Sequence, residues 1–74
     1  MPRITLEFAL SASHLQHDLL REFALHHDVV AVVEQRDGIC LLRVETSDTP
    51  GAAWEVRATI GMFDDRATEI SAQR

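Results

Sequence analysis

The chain has 74 residues and a net charge of −5, with twelve acidic side chains against seven arginines and no lysine. With 46% hydrophobic and 26% charged residues, it has the composition of one folded soluble domain, too short for a second core. The acidic balance argues against binding a phosphate backbone, and Cys40, the sole cysteine, excludes an intrachain disulfide.

A domain this small buries only about 60% of the surface that its unfolded chain exposes. Its stability is expected near 4–11 kcal/mol, from roughly 0.05–0.15 kcal/mol per residue. Small domains commonly supplement such a core with a disulfide, a metal or a partner. No apolar run is long enough to cross a bilayer, so membrane insertion is not expected. The opening "MPRITLEFAL" alternates and reads as a strand rather than a secretory leader. The lone thiol fits a reducing cytoplasm.

Residues 4–10, "ITLEFAL", place Ile4, Leu6, Phe8 and Leu10 on one side and Thr5, Glu7 and Ala9 on the other, as in a half-buried strand. Ser11 and Ser13 follow, and either hydroxyl can cap a helix start. Over "HLQHDLLREFALHH" and the Ala12 before it, Ala12, Leu15, Leu19 and Phe23 form one stripe with Leu20 beside it. His14, His17, Asp18 and Arg21 take the opposite side. The β-branched "VVAVV" ends that helix near His27 and Asp28.

Asp37-Gly38 predicts a two-residue hairpin turn with positive φ at both centres. Centred there, Arg36 opposes Ile39, Val33 pairs with Leu42, Ala31 with Val44 and Val29 with Thr46. Those residues and Cys40 form a core face. The other face carries Val30, Val32, Glu34, Ile39, Leu41, Arg43 and Glu45. Asp48 or Thr49 can cap a second helix with Pro50 in its first turn. Ala53, Val56, Ile60 and Phe63 make its stripe, with Trp54 to one side, and Gly61 weakens or caps its last turn. Asp64-Asp65 breaks the pattern, and "RATEISA" predicts a last strand with Thr68, Ile70 and Ala72 inward.

The order β-α-β-β-α-β predicts an α+β, ferredoxin-like split sandwich. In it a four-stranded antiparallel sheet of order 4-1-3-2 carries two helices on one face. A fold is not a function, so its known uses are tested against residues. Copper-chaperone-type domains carry two cysteines in the loop after the first strand, where this chain has Ser11-Ala12-Ser13-His14. Acylphosphatases need an arginine in that loop, and it has none. RNA-recognition domains need aromatics on the open face, where Ile39, Leu41 and Arg43 stand.

"HDVVAVVEQRDGICLLRVETSD" resembles the effector domains of leucine-responsive regulators, with a valine-rich strand, a glycine turn, an apolar strand and an acidic lead into helix two. More distantly it is similar to amino-acid-binding ACT domains and to the small domain appended to methionine importers. The resemblance covers roughly residues 26–48. It implies a regulatory domain that self-associates and takes a small-molecule ligand. Ile39-Cys40 stand where the effector domains commonly have an aromatic-aspartate pair, and Ser11-Ala12-Ser13 replaces the glycine-bearing ligand loop of ACT domains.

His14, His17 and Asp18 have a helical spacing that suits metal ligands, but no third strong ligand stands nearby, so a solvated face is expected. Cys40 points among Leu42 and Val33 and is expected to act as a small hydrophobe. Ser11, Ser13 and His14, at a helix start, form a candidate anion or ligand site. Val30, Val32, Ile39, Leu41 and Arg43 form the candidate interface, an apolar patch with a charged rim.

The sequence therefore predicts a non-enzymatic domain without metal or cofactor. Its expected partner is a second copy through the open sheet face or the edge of strand two. The alternative is an adaptor or maturation chaperone that binds another protein with that face. On this reading Leu41→Glu leaves the monomer folded.

Overall fold

The computed structural model describes residues 2–74. Its elements run β1 (Arg3–Ala9), α1 (Leu15–Ala24), β2 (Val30–Arg36), β3 (Ile39–Ser47), α2 (Pro50–Phe63) and β4 (Thr68–Gln73). The strands form one antiparallel sheet in the order β2-β3-β1-β4, which leaves β2 and β4 as edges.

The hairpin sets this arrangement. Asp37 and Gly38 have φ of 53° and 78°, the left-handed pair that a two-residue turn needs to match strand twist. From that turn Arg36 faces Ile39, Val33 faces Leu42 and Ala31 faces Val44. Val29 lies just outside the ladder, packed against the core. β1 then pairs with the other edge of β3, bringing Leu6 opposite Val44 and Phe8 opposite Leu42.

The core forms where this face meets the helices. Ile4, Leu6, Phe8 and Leu10 from β1 join Cys40, Leu42 and Val44 from β3. Leu19 and Phe23 descend from α1, and Ala53, Val56 and Ile60 from α2. The Cys40 thiol donates to Gln16 Oε1 at 3.4 Å and is buried. Thr49 caps α2, its Oγ1 accepting from the Ala52 amide at 3.2 Å, with Pro50 behind it. Gly61 does not end α2, which continues to Phe63 and closes at Asp64.

Three sequence expectations are corrected. Helix α1 begins at Leu15, with Ala12 in the preceding turn, and its cap residue His14 makes no side-chain capping bond. Neither Ser11 nor Ser13 caps it. The Leu15 and Gln16 amides donate instead to the carbonyls of Ala12 and Ser13, at 3.2 Å each.

Ser11 is engaged elsewhere. Its amide donates to Asp64 Oδ2 at 2.7 Å and its hydroxyl to Oδ1 at 2.5 Å, tying the end of β1 to the end of α2. Asp64, in the loop that ends α2 as expected, is buried and also accepts from the Arg66 amide at 3.2 Å. A buried carboxylate requires such donors, and they outrank a helix cap in energy.

The third correction is in β4. Glu7 pairs with Ser71 but Phe8 pairs with Glu69, so Ile70 is the extra residue of a bulge. Ile70 is exposed, Thr68 falls opposite Ala9 on the open face, and Ala72 is exposed opposite Leu6. Glu69 turns toward the helices and binds Arg57 Nε at 2.7 Å.

Leu42, fully buried between the sheet and both helices, tests the packing. Leu42→Ala should cost about 2–5 kcal/mol in chemical denaturation, a large share of a total near 4–11. A loss below about 1 kcal/mol would contradict the core described here.

Candidate functional site: the open sheet face

No helix covers the second face of the sheet. Alternation from the turn places Val30, Val32, Glu34 and Arg36 of β2 there, with Ile39, Leu41, Arg43 and Glu45 of β3. Thr5, Glu7 and Ala9 of β1 and Ser71 of β4 complete it.

The expected apolar patch is split, because its centre is already covered. Leu41 is only 4% exposed, yet it lies outside the core cluster beneath the helices. Its cover is ionic. Arg43 Nη2 lies 3.0 Å from Glu7 Oε2 and 3.4 Å from Glu34 Oε1. Arg36 Nη2 lies 2.6 Å from Glu34 Oε2 and 3.9 Å from Glu7 Oε2.

Arg36 stands on β2 and Glu7 on β1, so their contact crosses β3 over Leu41, which sits between Glu34 and Ala9. The stems of these long side chains shield the leucine while their heads remain wet. The cross-strand pairing of Glu7 with Arg43, and Glu34 two residues before Arg36, was the signal in the sequence for this lattice.

What stays exposed of the large apolar side chains on β2 and β3 lies at two ends. Val30 (55%) and Val32 (51%) project from β2, and Ile39 (49%) stands alone beside the turn. The valines lie on an edge strand whose outer backbone groups have no strand partner. β4, the other edge, is bulged and polar. Its end is held by Arg57–Glu69 and by the Arg74 Nε to Asp48 Oδ2 contact at 2.7 Å. Bulges and charges blunt edge pairing, and the Val30–Val33 half of β2 has neither.

Near the start of β2 is a cavity of about 450 Å³, lined by Leu25, His26, His27, Asp28, Ser47 and Glu55 among others. Asp28, with a φ of 62°, accepts from Ser47 and from Arg3, which also donates to Glu45 at 3.0 Å. The His26 ring folds back to 3.2 Å from Glu22 and lies edge-on to Phe23 with centroids 5.6 Å apart.

The structure does not bring Ser11, Ser13 and His14 to this cavity, and the Ser11 donors belong to Asp64. Among the described residues no three His, Cys, Asp or Glu side chains are placed to hold a metal ion. Among the same residues no helix is long and apolar enough to cross a membrane.

Several carboxylates are tuned by these contacts. The bond from Arg43, helped by Ser71, holds Glu7 below its ordinary range against partial desolvation. Ser47 and Arg3 do the same for Asp28, and Arg57 for Glu69. For Asp64 burial pushes upward, but the Ser11 hydroxyl and amide outweigh it and the net shift is down. No protein-family model matches the chain, and no curated protein or solved structure gives a significant match.

Two outcomes follow for experiment. Leu41→Glu would place a third carboxylate between Glu7 and Glu34 in a covered site, so it should unfold the domain or lower its Tm sharply rather than yield a folded monomer. Circular dichroism melting decides this, and an unchanged Tm would show that Leu41 is not sealed.

The pH dependence has a definite sign. Depressed carboxylates stabilise fully above their unfolded values, about 4, and lose that contribution as pH falls through their folded values. Tm should therefore drop below about pH 4, and Glu7→Gln should make that drop shallower. An equally steep acid limb in Glu7→Gln would contradict the ionic cover.

Proposed function

We propose that this chain is a ferredoxin-like split sandwich, of order 4-1-3-2 counted from β4, that works as a small non-catalytic regulatory domain. It pairs with a second copy along β2. The observation that carries this reading is the inequality of the two sheet edges: β4 is blunted, whereas β2 presents Val30 and Val32 beside unpaired backbone groups.

An antiparallel β2–β2 contact about a two-fold axis joins both sheets and brings the same residues of each copy together. The exposed valines then form a shared apolar strip. The ionic lattice over Leu41 lies beside that strip and sets its polar boundary.

The ligand-sensing part of the reading rests on the cavity at His26, His27 and Asp28. It opens where α1 hands the chain to β2, next to Val30. A small molecule seated there would bear on the start of the pairing strand. Self-association together with a small-molecule ligand is what the resemblance to leucine-responsive effector and ACT domains implies, and it suits a cytoplasmic regulator.

The test is association. Sedimentation should give a dimer at micromolar concentration, with a Tm that rises with protein concentration. Val32→Glu should give a folded monomer, because the new carboxylate is solvent-facing and opposite Arg43. A monomer mass with a constant Tm over a hundredfold dilution would remove the homodimer and favour the adaptor reading.

A further inference from the structure

The cavity at the start of β2 holds a polar group that the fold does not use. Thr46 is 3% exposed and stands on the core side of β3, opposite Ile4 of β1. Its hydroxyl makes no hydrogen bond to any described residue, although buried polar groups normally have partners. Among the described residues, no side-chain oxygen or nitrogen sealed from solvent lacks a partner. The Thr46 hydroxyl is therefore not sealed: it opens into the cavity that Thr46 lines.

The gap follows from the chain path. β2 begins to pair at Val30, opposite Glu45, so the position beside Thr46 falls to the loop after α1. That loop turns through Asp28 at positive φ. Leu25 and Val29 wall the cavity on the loop side, and Ala52 and Val56 on the α2 side. Its volume of about 450 Å³ lies within the usual range of small-molecule sites, roughly 300–1,000 Å³.

The charge in this cavity has one sign. Its lining includes the carboxylates of Asp28 and Glu55 but no arginine, and the chain has no lysine. Asp28 is occupied, since one oxygen accepts from Arg3 and the other from Ser47. Arg3 is occupied in turn by Asp28 and Glu45. The His26 ring is turned to Glu22. Glu55 is exposed, and its carboxylate has no ion-pair or hydrogen-bond partner among the described residues. A ligand carboxylate would meet like charge here, whereas an ammonium would meet an unpaired carboxylate.

On the reading that this cavity is the domain's ligand site, we propose that its ligand is a small primary amine with an apolar body and no carboxylate. The ammonium donates to the Thr46 hydroxyl and meets the charge of Glu55. The hydrocarbon part lies on Leu25, Val29 and Val56. A zwitterionic amino acid is disfavoured, because its carboxylate would enter the same acidic surroundings.

Three probes that share an isobutyl group separate the charge types: isoamylamine, leucine and isocaproate. Each is titrated into the full chain at neutral pH and constant ionic strength, with amide NMR shifts as the readout. Isoamylamine should move the amides of Thr46, Ser47, Ala52 and Glu55 along a saturable curve. It should bind about tenfold or more tighter than leucine or isocaproate. Glu55→Gln, at an exposed site, and Thr46→Val should each weaken it by about threefold or more. Thr46→Val removes a hydroxyl that the fold leaves unpaired, so its Tm should equal or exceed that of the wild type.

Leucine or isocaproate binding at these amides as tightly as isoamylamine would overturn the amine and leave the cavity as a ligand site. No saturable shift from any of the three would overturn the ligand role of the cavity as well, while pairing along β2 is judged separately by sedimentation. A lowered Tm in Thr46→Val, or wild-type affinity in Glu55→Gln, would also overturn the assignment.

Discussion

The left-handed turn at Asp37 and Gly38 is the constraint on which the rest of this structure depends. Because side chains alternate along a strand, one turn sorts every residue of β2 and β3 to one of two faces. Leu42 goes beneath the helices and Leu41 to the opposite side. β1 reads the same register from the other edge of β3, so the two central strands supply most of the sheet's contribution to the core. A slip of one residue would exchange buried and exposed positions throughout.

With the faces set, the small size of the domain becomes the next problem. A sheet covered by helices on one side leaves apolar side chains on the other. Here the central one, Leu41, is sheltered by its neighbours: two arginines and two glutamates on three strands lie over it. Ion pairs this exposed contribute little individually to stability. Their effect is geometric, since they keep apolar surface out of water and confine what remains on β2 and β3 to Val30, Val32 and Ile39. The proposed pairing along β2 uses that remainder.

The helix layer has its own economy of contacts. Asp64 joins the end of α2 to Ser11 after β1, and Thr49 closes the start of α2. α1 keeps a polar exterior, but α2 presents Trp54 and Met62 to solvent.

The element order, the turn, the hairpin register, a cap at Asp48 or Thr49 and most core residues were legible in the sequence, because each rests on local periodicity or on one special backbone conformation. The register even placed Leu41 on the open face. Whether that face left Leu41 exposed was not local: it depended on Arg36 and Glu7, 29 residues apart, meeting over β3. Ser11 looked like a helix cap until Asp64, 53 residues away, was brought beside it. The β4 bulge that turns Ile70 outward arose from pairing with β1, which no pattern within "RATEISA" encodes. Periodicity along the chain determined which way side chains point, and only the tertiary structure decided what they meet there, because those contacts join residues that are distant in sequence.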